Sequence, residues 1–282
     1  MNRKEMLTKD KYCIFSEIKA FNSGMNKEFP FIEFDFSEKC LEIHLSQEND
    51  TGSRRKVLIQ NQLYYILQKI TIPNDLTILD IGCGPGLYLE GLINQLNHND
   101  FEYIGIDKGP ALINYALNTY NISNANFILN DIFEYDFRRK NFNLILMMYD
   151  FFNFFSLEKM NELISMVSAL LGKDGYLIME VKVKSEFSDY DINFFYRENG
   201  LFSENRYMEI IEQGVVNNHF YGHRHFICEI DSKKTKEYYN FLNILKIEEI
   251  RHILSVNNLK IVDIISLNQD KYRKILVIRR II

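Results

Sequence analysis

The sequence predicts an α/β protein built on a mostly parallel sheet covered by helices on both faces. Three observations predict it. Short apolar runs alternate with helical stretches between residues 76 and 183, as buried parallel strands and their crossover helices do. A glycine-rich turn closes the first run and opens a helix. The apolar share, 46% of 282 residues, is enough to bury one large domain or a core plus a lid.

Taken in order, residues 1–72 read as mostly helical with a polar middle. Ser53 reads as an N-cap, and Ile59, Leu63, Ile66, Leu67 and Ile70 follow at helical spacing. Pro73 marks the boundary with a main domain over 73–184. There, Leu76–Ile81 is a buried strand, Leu87–Leu96 a helix and Tyr103–Asp107 the second strand. Ala111–Asn118 is a helix and Asn126–Leu129 the third strand. Asn143–Met148 is the fourth, a helix over Leu157–Leu171 ends at Gly172, and Tyr176–Val183 is the fifth. The rhythm then changes. Tyr207–Val216, Phe220–Ile230 and Thr235–Leu242 read as a meander within an inserted segment, 185–245, expected as a lid over the strand ends. Residues 246–282 return to the core, with a helix over Lys246–Val256 and strands over Leu259–Ile265 and Lys274–Ile281.

The strongest local signal is Leu79-Asp80-Ile81-Gly82-Cys83-Gly84-Pro85-Gly86. Glycines there let a ligand approach the backbone. The spacing separates ligand classes. A dinucleotide fingerprint is G-x-G-x-x-G, and its third glycine would fall on Leu87; here it is Gly86. Asp80 sits just before the turn, where a carboxylate repels a pyrophosphate but attracts an ammonium group. Asp107 follows Gly86 by 21 residues, at the tip of the second strand. An acid there can accept both hydroxyls of a ribose.

These residues closely resemble motif I of the class I S-adenosylmethionine-dependent methyltransferases. The resemblance covers about residues 74–183, with a weaker likeness to bacterial small-molecule enzymes in the string around His44 and Asp50–Arg55. It implies a seven-stranded Rossmann-like methyltransferase sheet, with S-adenosylmethionine as cofactor. It also implies that Asp131 binds the adenine amino group and that the backbone of Ile132 holds the ring. Gly82, Cys83, Gly84 and Gly86 form the cradle. Tyr88, one helical step on, shapes the donor's methionine end, and Lys108 and Met148 join the donor-binding set. Arg54 is assigned to the donor's carboxylate, because a fork of donors suits a carboxylate; a solvated helix arginine is the other reading.

The fourth strand ends at Met147-Met148-Tyr149-Asp150-Phe151-Phe152-Asn153, the motif IV position that faces the transferred methyl group in the family. The Asn/Asp-Pro-Pro-Tyr/Phe string of planar-amine methyltransferases is absent. Tyr149 and Asp150 are the acceptor-side pair. Asp150 is expected either to accept a proton or orient the acceptor, or merely to cap the next helix. His223 is a third catalytic candidate. It stands with His219 and His225 among aromatics, and His223 and His225 share a strand face. No carboxylate cluster accompanies them, so no metal is expected; as strand residues they read as exposed.

Composition bounds the partners. The net charge is −5 and no basic tail is present, which counts against nucleic acid. The pairs at Arg54–Lys56, Arg138–Lys140 and Arg279–Arg280 read as solvated faces. Four cysteines without C-x-x-C spacing suit a reducing compartment. No apolar leader or membrane span is read, so a cytoplasmic location is expected. The surplus Phe and Tyr suit either a lid or a homodimer face. The expected function is methyl transfer to oxygen or nitrogen of a small-molecule substrate. An RNA or protein methyltransferase and a non-catalytic donor-binding module are the alternatives.

Overall fold

The computed structural model describes residues 29–48, 50–96, 101–138, 141–184, 191–216, 220–266 and 272–281. These divide into two compact units. One takes the described residues of Pro30–Ser185 and Leu245–Ile282, the other those of Met1–Phe29 and Glu186–Ile244.

The larger unit opens with two helices, α1 (Phe34–Leu45) and α2 (Lys56–Leu67). Alternation follows: β1 (Leu76–Ile81), α3 (Leu87–Ile93), β2 (Phe101–Asp107), α4 (Pro110–Thr119), β3 (Ala125–Leu129) and β4 (Phe142–Met147). A single 3-10 turn, Phe151–Phe154, leads to α5 (Leu157–Leu170) and β5 (Leu171–Lys182). In the smaller unit β6 (Asp191–Arg197), β7 (Tyr207–Val216), β8 (Phe220–Glu229) and β9 (Thr235–Asn243) form one antiparallel sheet in that order. The chain ends its described part in the larger unit with α6 (Ile247–Val256), β10 (Leu259–Ser266) and β11 (Arg273–Arg280).

The seven strands of the larger unit run in the order β10-β11-β5-β4-β1-β2-β3. β1 pairs with both β2 and β4 in parallel, while β11 is antiparallel to β5 and β10. Because the order reverses between β1 and β4, the loops leaving those strands diverge and open a crevice at their carboxyl ends. Alternate residues face opposite sides of a strand, so the sheet has two cores. Leu79, Ile81, Ile145 and Met147 pack with α5 and α6. Ile78, Leu144 and Leu146 pack with α2, α3 and α4.

Four expectations change. Ser53 does not cap α2; Arg55 occupies that place. Asp50 accepts from the Arg55 amide (2.8 Å) and Gln47 from the Lys56 amide (2.9 Å), so side chains upstream satisfy the donors that a cap would take. α5 ends at Leu170 and β5 starts at once, with a register shift opposite Phe142 and Leu144; Gly172 lies inside the strand. β6 was not anticipated, since Asp-Ile-Asn-Phe-Phe-Tyr-Arg lacks strict alternation; it forms by pairing along β7. His225 is not exposed: its Nδ1 lies 2.9 Å from buried Glu209, and Phe29, Phe202 and Tyr238 surround its ring. His219 and Cys13 lie outside the described residues; Cys40, Cys83 and Cys228 carry free thiols. Among the described residues no helix is long and apolar enough to cross a membrane.

Candidate active site

The glycine turn is pinned to β2 before any side chain acts. The amides of Gly82 and Cys83 both donate to the Ile106 carbonyl (2.9 and 3.2 Å), and Gly86 donates back to Cys83 (3.1 Å). Gly82, Gly84 and Gly86 all have positive φ (73°, 54° and 84°), a region that other residues enter only with strain. A side chain at Gly82 would collide with the Phe151 ring, and one at Gly86 would press on Tyr120 and Phe127. At Gly84 the nearest group would be the His44 ring, at 3.4 Å. Neighbouring rings of the protein fill the space at Gly82 and Gly86, and of the three positions Gly84 is the one left open.

Asp107 reaches from the tip of β2 to both sides of this turn. One carboxylate oxygen accepts from the Gly84 amide (2.9 Å), the other from the Gly109 amide (2.8 Å) at the start of α4. Burial pushes its pKa up, against the pull of those amides. Lys108 and Asp131 form an ion pair of 2.7 Å across the tips of β2 and β3. Burial works against ionisation of Asp131, yet the Lys108 ammonium and the Phe133 amide outweigh it and hold the carboxyl low. Ile132 is buried. Asp80 is buried beneath the turn and accepts from the Tyr103 hydroxyl at 2.7 Å. Burial raises it to about 7, with Asp107 adding and Tyr103 opposing. Cys83 and Met148 are buried beside these groups. Tyr88 turns inward, its hydroxyl donating to Gln62 at 2.6 Å.

The tip of β4 carries the least ordinary backbone of the unit. Tyr149 and Asp150 are consecutive non-glycine residues at φ 53° and 62°. Each such residue costs about 1–3 kcal/mol, held only where its surroundings dictate it. The surroundings here are specific. The Tyr149 amide donates to Glu180 at 3.1 Å, and its hydroxyl donates to the carbonyls of Asp50 and Thr51. Arg273, from β11, grips Asp150 with Nε 2.8 Å from both oxygens and Nη2 2.6 Å from one. Asn153 bridges to the Lys182 backbone in both directions (2.8 and 2.9 Å). The Tyr149 ring has the Arg54 and Arg273 guanidiniums over it, at 5.4 and 5.1 Å, within cation–π range. Burial pushes the Tyr149 hydroxyl up to about 12.

Two expectations about charge are corrected here. Arg54 is no solvated helix arginine: it is buried and donates to Glu180 from Nη2 at 2.7 Å and Nε at 3.3 Å. Asp150 does not cap the 3-10 turn through its side chain; its carboxylate is engaged by Arg273. The expected proton-accepting role therefore falls on a carboxylate that already has a partner.

Gln62, Glu180 and Arg273 were missed, and so was the part played by α1. No local signal marks the first three, because each becomes a neighbour of the β4 tip only through the sheet. α1 brings one face to the loops that follow β1 and β2. Ser37 accepts from the Ala111 amide (2.7 Å), Cys40 is raised to about 12 by burial and the nearby Asp107 charge, and His44 stands beside Gly84. The signal for that face was present: positions 37, 40 and 44 recur at helical spacing. Burial holds the His44 imidazole down at about 4, so it is neutral at pH 7.

His223 belongs to the smaller unit, opposite Gln213 and Asn240, with its ring on Tyr221 and His225. Among the described residues no group of three or more His, Cys, Asp or Glu is placed to hold a metal ion.

Comparison with known proteins bears on the crevice at β1–β4. The model of a family described as a methyltransferase domain matches residues 78–175. A search of curated proteins gives no match. Among solved structures, the chain is similar to the CcbJ methyltransferase of Streptomyces caelestis, with TM-score 0.65 and 9% identity over 87% of this chain and 97% of that one. An S-adenosylmethionine-dependent methyltransferase of Clostridium acetobutylicum gives TM-score 0.56 and 16% identity over 95% and 98%. CalS10 of Micromonospora echinaspora, an amino pentose methyltransferase solved with S-adenosylmethionine bound, gives 0.55 and 14% over 79% and 89%.

Proposed function

We propose that the chain, whose residues 78–175 match a methyltransferase domain, is a class I S-adenosylmethionine-dependent enzyme that methylates oxygen or nitrogen of a small-molecule acceptor. The bound donor supplies the methyl group on a positively charged sulfur. The observation that carries the reading is the left-handed glycine turn after β1, whose open Gly84 is tied by its amide to Asp107 at the tip of β2. It fits a donor that has a ribose and no phosphate.

In this reading Asp107 takes the ribose hydroxyls, Asp131 and the Ile132 backbone take the adenine, and Lys108 keeps Asp131 ionised. Asp80 answers the donor's ammonium and Arg54 its carboxylate. Cys83, Tyr88 and Met148 line the methionine end. Tyr149 and Asp150 face the acceptor, and their fixed turn holds it in line with the methyl group. Such alignment can supply several kcal/mol of the barrier, and a base is needed only if the acceptor must lose a proton. The amino pentose activity named for CalS10 supports an acceptor bearing an amine or hydroxyl. His223 is kept as a catalytic candidate on the smaller unit: His223→Ala should slow turnover while donor affinity stays unchanged.

The test is calorimetric titration with S-adenosylmethionine and S-adenosylhomocysteine, followed by turnover on a panel of amino and hydroxylated metabolites with tRNA included. Micromolar binding and turnover on a small molecule support the reading. Turnover on tRNA alone would replace the acceptor class. Binding without any turnover would favour a non-catalytic module.

A further inference from the structure

Glu180 is a buried carboxylate with no part in the roles just assigned. It lies near the carboxyl end of β5 at 0% exposure, between Met179 and Val181. A charge there is costly unless it is fully partnered. Its partners come from distant parts of the chain. One oxygen accepts from Arg54 (Nη2 2.7 Å, Nε 3.3 Å) and from the Gln62 amide nitrogen (3.3 Å). The other accepts from the Tyr149 backbone amide at 3.1 Å. Gln62 in turn accepts from Tyr88, on the helix opened by the glycine turn.

We propose that Glu180 is a positioning residue that sets both sides of the site at once, holding Arg54 with one oxygen and the left-handed Tyr149–Asp150 turn with the other. The proposal rests on the reading above for Arg54 and Tyr149. It depends on Glu180 having two acceptor oxygens. A glutamine has one acceptor oxygen and an NH2 group, so it can satisfy Arg54 or the Tyr149 amide but not both. An aspartate is one methylene too short to span them.

The experiment reads each oxygen separately in Glu180→Gln. Hydrogen exchange at the Tyr149 amide reports the turn, with the β4 amides of Leu146 and Met147 as internal control. Calorimetry with S-adenosylmethionine and with 5′-methylthioadenosine, which lacks the amino-acid end, reports Arg54. Loss of one hydrogen bond of this kind is worth roughly tenfold. The variant should therefore exchange Tyr149 roughly tenfold faster or bind S-adenosylmethionine roughly tenfold more weakly, with methylthioadenosine and the β4 amides unchanged. Should the variant fold poorly, Glu180→Asp keeps the charge but is one methylene too short to span both partners; faster Tyr149 exchange or weaker S-adenosylmethionine binding there, with methylthioadenosine and the β4 amides unchanged, supports positioning. Wild-type Tyr149 exchange together with wild-type S-adenosylmethionine affinity in either variant overturns the proposal and leaves Glu180 a packing residue. A wild-type chain that binds neither nucleoside fails differently. It overturns the donor reading and the Arg54 half of the proposal, while Tyr149 exchange still decides the clamp.

Discussion

The two sides of the crevice are built by opposite means. On the glycine-turn side, the carboxylates at the strand tips find their partners near in sequence. Asp107 reaches Gly84 and Gly109, and Lys108 reaches Asp131, separations of at most a few tens of residues within one βαβ unit. On the β4-tip side, Arg54 meets Glu180 across 126 positions and Arg273 meets Asp150 across 123. The first side is held by backbone amides and tolerates little change in side-chain size. The second is held by buried charge pairs and tolerates little change in charge. The two sides touch where Gly82 leaves room for Phe151.

The sharpest way to break this contrast is Arg273→Ala. It leaves Asp150 buried without its fork, and removing one partner of a buried pair costs about 3–5 kcal/mol. Chemical denaturation should register that loss, and a loss below 1 kcal/mol would place the β4 tip under local control after all. Next is the pH dependence set by Asp80. Its carboxyl is raised to about 7, so between roughly pH 4 and 7 the folded state holds a proton that the unfolded state releases. Stability from this group is greatest at low pH and falls as pH rises through that window, by about 1.4 kcal/mol per unit at most. Asp80→Asn should therefore equal wild type near pH 4 and gain on it up to pH 8; parallel melting curves at all pH values would refute the assignment.

If Asp107 takes the ribose as proposed, Asp107→Ala should weaken S-adenosylmethionine binding roughly a hundredfold, since the two charge-assisted bonds that shape the turn are lost as well. Titration would show it, and an unchanged affinity would move the ribose elsewhere. The smallest effect sharpens the boundary between the two sides. Gly84→Ala meets only ordinary contact with His44 and should cost about 1–2 kcal/mol for its left-handed backbone. Gly82→Ala must also displace Phe151, so it should cost more and should disturb Tyr149 amide exchange, whereas Gly84→Ala should not.

The same contrast explains what could be read in advance. β1, β7, the bounds of the final helix and strands to within a residue or two, and the place of the glycine turn between β1 and α3 all follow from period and local spacing. Strand β6 escaped because its pattern is set by its neighbour rather than by its own alternation. Glu180 escaped because, inside an apolar strand, a lone carboxylate gives no hint of its partners. The sequence favours Arg54 over Arg55, but neither partner is legible in it: only when the sheet closes does one meet Glu180 and the other Asp50. Arrangements that depend on sheet order are written in pairs of distant residues, and a single chain of letters does not mark the pairs.

Arg273 stands on β11, which enters antiparallel beside β5 after every other strand of the larger unit has been made. As a ribosome delivers the chain, β1 to β5 and their helices can assemble from contacts already at hand. The Tyr149–Asp150 turn cannot, because its guanidinium partner is still to be synthesised and closing that long loop comes late. A nascent chain would thus acquire its glycine turn well before the Arg273 fork closes on Asp150.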